Sequence, residues 1–96
     1  MLEIKIEKSF QKDIERDKKS GKYQSDDLEE LKSIIKKLQC GDEIDTKYRR
    51  HFLRGDMSGL ESIHVKSDWL LIFSVDEQYL SLVMLGKHTQ VYKKFK

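Results

Sequence analysis

Three apolar runs in the second half of the chain decide the fold: GLESIHV (residues 59–65), WLLIFSV (residues 69–75) and YLSLVML (residues 79–85). Only short links, around Lys66 and around Asp76, separate these runs, and links this short join antiparallel neighbours. The middle run is apolar at nearly every position, which is typical of a central strand covered on both faces. The stretch therefore predicts an antiparallel meander of three strands.

The first residues of the chain predict a further strand and a helix. Residues 2–6 alternate between apolar and polar side chains, as a half-buried strand does. Ser9 is a plausible N-cap for a helix that runs to about Ser20. Gly21 is a natural place for that helix to end, because glycine accepts the left-handed conformation that commonly follows a helix.

A second helix is predicted between Asp26 and Gly41. Asp26 serves as the expected N-cap, and Glu29 follows three positions later, as in a capping box. Apolar residues then recur at helical spacing: Leu28, Leu31, Ile34, Ile35 and Leu38. Because few residues join the two helices, we expect an antiparallel helical hairpin.

Taken together, these elements predict an α+β fold of order β-α-α-loop-β-β-β. The helical hairpin packs on a four-stranded, mostly antiparallel sheet, and the C-terminal tail adds a short helix or a further strand. Residues 42–59 contain two glycines and no clear period, so we expect a long, structured loop. Loops of this length in a small domain are often functional.

The composition fits one domain spanning residues 1–96. Hydrophobic and charged residues each make up 38% of the chain, which is too apolar for a disordered protein and too polar for a membrane protein. No apolar run approaches the roughly 20 residues that span a bilayer, and residues 1–8 lack a signal-peptide pattern. A single cysteine, Cys40, excludes an internal disulfide framework. We therefore expect a small cytoplasmic protein.

Basic residues are concentrated in two segments, although the net charge is only +2. The segment 47–54 contains Lys47, Arg49, Arg50 and Arg54 and no acid. The segment 87–96 contains Lys87, Lys93, Lys94 and Lys96 and no acid. A nearly neutral chain with this distribution could present one basic face to a nucleic acid. The alternative, equally open from the residues alone, is ordinary solvated surface.

The three histidines, His51, His64 and His88, all lie at the ends of predicted elements. In a meander, the turn after the first strand and the end of the third strand meet at one edge of the sheet. We therefore expect His64, His88 and the carboxylate of Asp68 to be neighbours. Imidazoles around a carboxylate form an acid–base set that works near neutral pH without a cofactor. A zinc site and three ordinary surface histidines are the alternatives, and the spacing matches no strong metal motif.

Two aromatic residues accompany these histidines. Trp69 begins the most apolar strand, where packing in the core is the default role of a tryptophan. Tyr92 lies in the basic tail, four residues after His88, where a core role is less natural. A ring between lysines suits stacking on a nucleotide base.

The second half of the chain resembles the YafQ branch of the RelE/ParE superfamily of bacterial toxins. The resemblance rests on HFLRG (residues 51–55), IHVKSDWLLI (residues 63–72) and LGKH (residues 85–88) followed by Tyr92. In that family these pieces read as an H-x-L-x-G loop, an H-V-x-x-D-W hairpin and a G-x-H ending with an aromatic. The element order agrees throughout, and the specific motifs cover about residues 48–92.

The resemblance implies a ribosome-dependent endoribonuclease that cuts mRNA in the ribosomal A site without a metal or other cofactor. It also implies a cognate antitoxin that blocks the enzyme, no membrane partner, and contact with DNA only through the antitoxin complex. Carried over position by position, the functional residues are His51, His64, Asp68, Trp69, His88 and Tyr92. The family often has an arginine where Met84 stands, so another cation would have to stabilise the charge on the phosphate.

The expected chemistry uses the 2′-hydroxyl of RNA as the nucleophile. We expect His64, oriented by Asp68 and with His51 nearby, on the base side, and His88 as the general acid. The choice of base between His51 and His64 is open. Trp69 and Tyr92 are expected to stack on RNA bases and hold them apart, so that the attack can be in line. The cations expected to contact RNA are Lys47, Arg49, Arg50, Arg54, Lys66 and Lys87. Two alternatives also remain: a non-catalytic toxin of the same fold that inhibits a protein such as DNA gyrase, and a degenerate copy that acts only as a binding module.

Overall fold

The predicted order of elements is present in the computed structural model, which describes residues 1–93. Lys94 and Lys96 of the basic tail lie outside the described residues. The helices and strands are β1 (Glu3–Ile6), α1 (Lys8–Ser20), α2 (Ser25–Cys40), β2 (His51–Phe52), β3 (Glu61–Lys66), β4 (Trp69–Val75), β5 (Tyr79–Gly86) and α3 (His88–Lys93). In residues 1–93 no helix has the length and apolar character needed to cross a membrane.

The sheet has five strands in the order β1-β5-β4-β3-β2, so the prediction of four strands is wrong. The fifth strand comes from the segment predicted as a loop, where His51 pairs with Ser62 and Phe52 pairs with Glu61. β3, β4 and β5 form the predicted antiparallel meander, and β1 joins β5 in parallel. The rest of that segment contains two short 3-10 turns, 46–48 and 55–57.

The central strand β4 is covered on both faces, as predicted. Trp69, Leu71 and Phe73 belong to the core beneath α1 and α2. Leu70 and Ile72 point to the opposite face, where they pack with the buried side of α3 and with the loop before β3. The small domain therefore has two apolar layers separated by one sheet.

The first helix begins two residues earlier than predicted. Its first residue is Lys8, and the N-cap position is held by Glu7 instead of Ser9. The hydroxyl of Ser9 donates a hydrogen bond to the carbonyl of Val83 on β5, so it links the helix to the sheet. The predicted end is confirmed, because Gly21 takes the left-handed conformation with φ 74°.

The second helix is capped by different residues from those predicted. Gln24 is the N-cap, and its partner in the capping box is Asp27, whose carboxylate accepts from the Gln24 backbone N–H at 3.0 Å. Asp26 and Glu29 therefore do not form the expected box. The chain enters the helix two residues earlier, which makes Asp27 the third helical residue. Gly41 ends the helix as predicted.

β1 is an exposed edge strand, so the prediction that it is half-buried is wrong. Ile4 and Ile6 are 39% and 50% exposed. α1 packs over β5 and α2 packs over β3, and a groove of about 390 Å³ runs between the helices and β1. The groove is lined mainly by apolar side chains, among them Ile4, Ile6, Phe10, Ile14, Leu28 and Ile35.

Candidate active site

The pairing of the strands brings the three histidines together. His51 on β2 lies opposite Ser62, which is two residues before His64 and therefore on the same face of β3. Across β4, His64 is level with Gly86 at the end of β5, and His88 follows two residues later. The ring centroids of His51 and His64 are 6.1 Å apart, and those of His64 and His88 are 5.3 Å apart.

The carboxylate of Asp68 orients His88 and not, as expected, His64. Its Oδ1 atom lies 2.7 Å from Nδ1 of His88 and accepts the backbone N–H of His88 at 3.0 Å. These two hydrogen bonds hold the pKa of Asp68 below its ordinary value. A carboxylate only accepts, so Nδ1 of His88 carries a proton and Nε2 is free to act on a substrate. The reason for the different partner is positional: Asp68 precedes β4, beside the point where β5 leads into α3.

A backbone carbonyl fixes the ring of His51. Nδ1 of His51 lies 2.8 Å from the carbonyl oxygen of Arg49, which takes the left-handed conformation with φ 55°. Because a carbonyl only accepts, Nδ1 is the protonated nitrogen of the neutral ring. The lone pair is then on Nε2, which is the arrangement that a general base requires.

His64 lies between the other two imidazoles and is largely buried, with 9% of its surface exposed. Its Nδ1 atom has no hydrogen-bond partner among the described residues. Burial lowers the pKa of His64, and so does the positive charge of Arg49; His88 and His51 lower it further when they are protonated. His64 is therefore neutral at pH 7, and it is harder to protonate than an ordinary histidine.

This lowered pKa makes a prediction about the pH dependence of stability. The unfolded chain binds a proton at His64 more readily than the folded chain, so the free energy of unfolding should decrease as the pH falls below about 6.5. We expect His64→Gln to reduce this decrease, because glutamine does not titrate. Urea denaturation of both proteins over a series of pH values from about 7 to about 5.5 measures the difference. Equal slopes in the two proteins would contradict the prediction.

Trp69 is entirely buried, so the expected stacking of its ring on an RNA base is wrong for this structure. The ring stacks instead on Tyr23, with centroids 4.0 Å apart. Its Nε1–H donates a 2.8 Å hydrogen bond to the carboxylate of Asp17 on α1. The default role in the core therefore applies, and Trp69 anchors the start of β4 next to Asp68.

A polar cluster on α1, which the sequence analysis missed, holds the end of β5. Asp13 accepts the backbone N–H of Leu85 at 3.0 Å, and Arg16 donates to the Leu85 carbonyl at 2.9 Å. Arg16 also pairs with the carboxylates of Asp13 and Asp17, both at 3.0 Å. The two acids are buried, with 5% and 4% exposed. Asp13 and Asp17 are four residues apart, so they lie on the same face of α1. This spacing is the feature of the sequence from which the cluster could have been predicted.

Gly86 permits this close contact between α1 and the strand that leads to His88. A Cβ atom at this position would lie 2.9 Å from a guanidinium nitrogen of Arg16 and 2.8 Å from the side-chain oxygen of Gln90. Both approaches are shorter than a carbon atom tolerates. The same Gln90 oxygen accepts a 2.9 Å hydrogen bond from the backbone N–H of Lys87, the residue before α3.

Tyr92 is the aromatic residue that stays beside the histidines. It follows His88 by one turn of α3, and the two ring centroids are 5.9 Å apart. The side chain is half-buried and packs against the second apolar layer. A ring held in this way has part of its surface available to a ligand at the histidines.

Two of the cations expected to contact RNA are already paired with carboxylates. Arg50 binds the buried Glu61 at 2.7 Å. Lys66 binds Glu30 at 2.7 Å and Asp27 at 3.1 Å, and these bonds raise its pKa to about 12. Within the protein the charges of Arg50 and Lys66 are balanced by these carboxylates, so each would have to weaken an existing ion pair in order to bind a phosphate.

The other four expected cations, Lys47, Arg49, Arg54 and Lys87, form no ion pair with any carboxylate in residues 1–93. Met84, at the position where an arginine was expected from the resemblance, is 2% exposed and belongs to the second apolar layer. Over the described part of the chain, no group of three or more His, Cys, Asp or Glu side chains is arranged to hold a metal ion. The charges of Lys47, Arg49, Arg54 and Lys87 are therefore not neutralised by a carboxylate in the described part of the chain.

Comparison with known proteins gives these residues a family context. A family described as bacterial toxins of type II toxin–antitoxin systems, YafQ, matches residues 2–93. The putative toxin RelE4 of Methanocaldococcus jannaschii is 30% identical over 100% of this chain and 96% of its own length. The mRNA interferase toxin YafQ of Escherichia coli is 28% identical over 86% of this chain and 98% of its own length.

Solved structures of similar chains have the same fold. A copper-bound mutant toxin from Helicobacter pylori superposes with a TM-score of 0.85 at 30% identity, covering 95% of this chain and 99% of that one. The toxin in the E. coli DinJ–YafQ complex superposes with a TM-score of 0.83 at 25% identity, covering 96% of this chain and 99% of that one. The similarity extends over the whole sheet and both long helices.

Proposed function

The chain belongs to the YafQ family of toxins of type II toxin–antitoxin systems, and from this premise we propose that it is a ribosome-dependent endoribonuclease that cuts mRNA by acid–base catalysis. The observation that carries the proposal is the pair of imidazoles, His51 and His88, whose rings are each fixed by a hydrogen bond at Nδ1. His51, held by the Arg49 carbonyl, has a basic Nε2. His88 is held through Nδ1 by the carboxylate of Asp68, which leaves its Nε2 as the nitrogen that can give a proton to a substrate. The enzyme acts in the cytoplasm, where ribosomes translate mRNA.

The reaction begins when Nε2 of His51 removes the proton of a ribose 2′-hydroxyl. The oxygen attacks the adjacent phosphorus, and His88 gives a proton to the leaving 5′-oxygen, so the products are a 2′,3′-cyclic phosphate and a 5′-hydroxyl. Each positioned proton transfer contributes roughly 10²–10⁴ to the rate. His51 is the better base of the two candidates, because burial weakens the basicity of His64.

Two unpaired cations and one ring complete the proposed site. Arg54 and Lys87 offset the negative charge that grows on the phosphate oxygens, a role that the buried Met84 leaves open. The exposed part of Tyr92 stacks on a base and keeps the nucleotides apart, so that the 2′-oxygen attacks in line. The acid, the base and the charge stabilisation are then all supplied by side chains.

The function is tested by adding the purified chain to ribosomes programmed with a defined mRNA. We expect cleavage at the A-site codon, no cleavage of the same mRNA without ribosomes, and fragments that end in a 2′,3′-cyclic phosphate. Intact mRNA together with DNA damage in cells that express the chain would instead support an inhibitor of DNA gyrase. Intact mRNA with neither effect would support a binding module.

Binding to RNA should depend on salt through the unpaired cations. Using His88→Ala to prevent cleavage, we expect the logarithm of the affinity for a single-stranded oligonucleotide to fall linearly with the logarithm of salt concentration, with a slope of about −0.7 for each phosphate neutralised. Arg54→Gln should reduce the slope by about 0.7. Arg50→Gln is the matched control, because Arg50 is paired with Glu61. Equal changes in slope for both variants would show that Arg54 has no special role.

A cognate antitoxin is the second proposed partner, as DinJ is for the E. coli toxin. The groove beside β1 exposes Ile4 and Ile6, and it suits an apolar segment of such an antitoxin. We expect Ile6→Asp to reduce co-purification with the product of the adjacent antitoxin gene at least tenfold, because burial of a charge costs several kcal/mol. Val75→Asp changes another exposed apolar residue outside the groove and should leave the complex intact.

A further inference from the structure

A pocket beside His64 has no role in the chemistry described so far. It has a volume of about 410 Å³ and lies between α2, the turn that contains Tyr48 and the end of β3. This volume falls within the roughly 300–1,000 Å³ that is usual for sites of small ligands. His64 forms part of the wall, so a group bound here would be next to the proposed cleavage site.

The polar wall of the pocket is a carboxylate held in a fixed position. Glu30 accepts the hydroxyl of Tyr48 at 2.7 Å through Oε2 and the ammonium of Lys66 at 2.7 Å through Oε1. These two hydrogen bonds also lower the pKa of Glu30. Each carboxylate oxygen has two acceptor positions, so each keeps one that is unused. The Glu30 side chain is 25% exposed, which makes the unused positions accessible to a ligand.

The pocket is lined by three cations, Lys47, Arg49 and Lys66, and by one carboxylate, Glu30. Lys47 and Arg49 line the pocket and have no carboxylate partner in residues 1–93. The charge of Glu30 is paired with Lys66, but the unused acceptor positions of its oxygens can still take a hydrogen bond from an N–H group. A ligand that fits both parts has a phosphate at one end and a planar group with N–H donors at the other, and a nucleotide has this character.

We infer that this pocket binds the base of a nucleotide that flanks the cleaved bond, and that Glu30 accepts a hydrogen bond from the exocyclic amino group of that base. Adenine, cytosine and guanine have such a group. Uracil has only an imino N–H between two carbonyl oxygens, which would face the carboxylate unfavourably. The inference rests on the proposed function, and it assigns to Glu30 a role in substrate specificity.

The experiment compares the bases next to the cut sites before and after a change of Glu30. Sequencing of the fragment ends from a randomised mRNA on ribosomes should show that wild type disfavours uracil at one position beside the cut. Glu30→Gln keeps the size of the side chain and adds an N–H donor that can meet a carbonyl. We expect the use of uracil at that position to rise about tenfold relative to the other bases.

Asp27→Asn is the matched control. Asp27 also binds Lys66, at 3.1 Å, but it does not line the pocket. This variant should therefore keep the wild-type base profile. An unchanged profile in Glu30→Gln, with cleavage still present, would overturn the inference, as would an equal shift in both variants. Reduced cleavage with an unchanged profile would also overturn it, because Glu30 would then affect the rate without distinguishing between bases.

A binding measurement separates this inference from the proposed function. The probes are the trinucleotides ApApA and UpUpU, and the readout is the change in NMR chemical shift at Tyr48 and His64. We expect ApApA to bind wild type about tenfold more tightly than UpUpU, and Glu30→Gln to remove the difference. If the chain cuts no mRNA, the proposed function fails, and the trinucleotides still decide the base preference. Equal affinities in wild type would overturn the inference.

Discussion

Replacing His88 with alanine should lower the rate of mRNA cleavage on programmed ribosomes by about 10²–10⁴-fold, because the leaving 5′-oxygen would lose its proton donor. The fold should be nearly unaffected. The side chain of His88 is 46% exposed, and its hydrogen bond to Asp68 lies at the surface. Single-turnover cleavage with saturating protein measures the chemical step, and urea denaturation measures the stability.

The control for this variant is Thr89→Ala, which changes an exposed neighbour on the same helix and should leave the rate unchanged. A substrate with sulfur in place of the leaving 5′-oxygen gives a sharper test, since a thiolate leaves without protonation. We expect this substrate to restore most of the rate of His88→Ala. If the variant cleaves the ordinary mRNA as fast as wild type, His88 is not the acid. If the sulfur substrate gives no rescue, His88 acts in another way.

Replacing Asp17 with alanine should lower the free energy of unfolding by about 2–4 kcal/mol. The indole N–H of Trp69 donates a 2.8 Å hydrogen bond to Asp17, so the change would leave this buried donor without its acceptor. It would also remove one of the two carboxylates that pair with Arg16. Denaturation by urea, followed by tryptophan fluorescence, measures both the stability and the environment of Trp69.

Glu15→Ala is the matched control on the same helix, because Glu15 is exposed. It should change the stability by no more than about 0.5 kcal/mol. Trp69→Phe removes the donor, and a double-mutant cycle with Asp17→Ala then gives the coupling energy of the pair. Unfolding of all four proteins in the cycle is followed by circular dichroism, because Trp69 is the chain's one tryptophan. We expect a coupling of about 1–3 kcal/mol. A coupling near zero would mean that the hydrogen bond contributes nothing to the fold.

The meander and the meeting of the histidines could be predicted because they depend on simple regularities. Strand alternation and short links place His64 and His88 at one edge whatever the details of packing. β2 could not be predicted, because a two-residue strand such as His51–Phe52 has no period of its own. Its existence depends on pairing with β3, which is a tertiary contact.

The roles of individual side chains were harder to predict than the elements that carry them. Nothing in the spacing of Arg50 and Lys66 shows that each would meet a carboxylate from a distant part of the chain. The same is true of Trp69, whose partner Asp17 lies 52 residues away. Asp68 was expected beside the wrong histidine because two imidazoles lay within reach, and only the path of the chain after β5 decides between them.

The parallel pairing of β1 with β5 has a consequence for the synthesis of this protein. Within residues 1–93, β1 pairs with β5 alone, so β1 stays unpaired until the four later strands have been translated. His88 follows β5 and is translated later still. A nascent chain that has not yet reached β5 therefore lacks both the complete sheet and the cluster of three histidines, so the candidate site forms only after His88 has been translated.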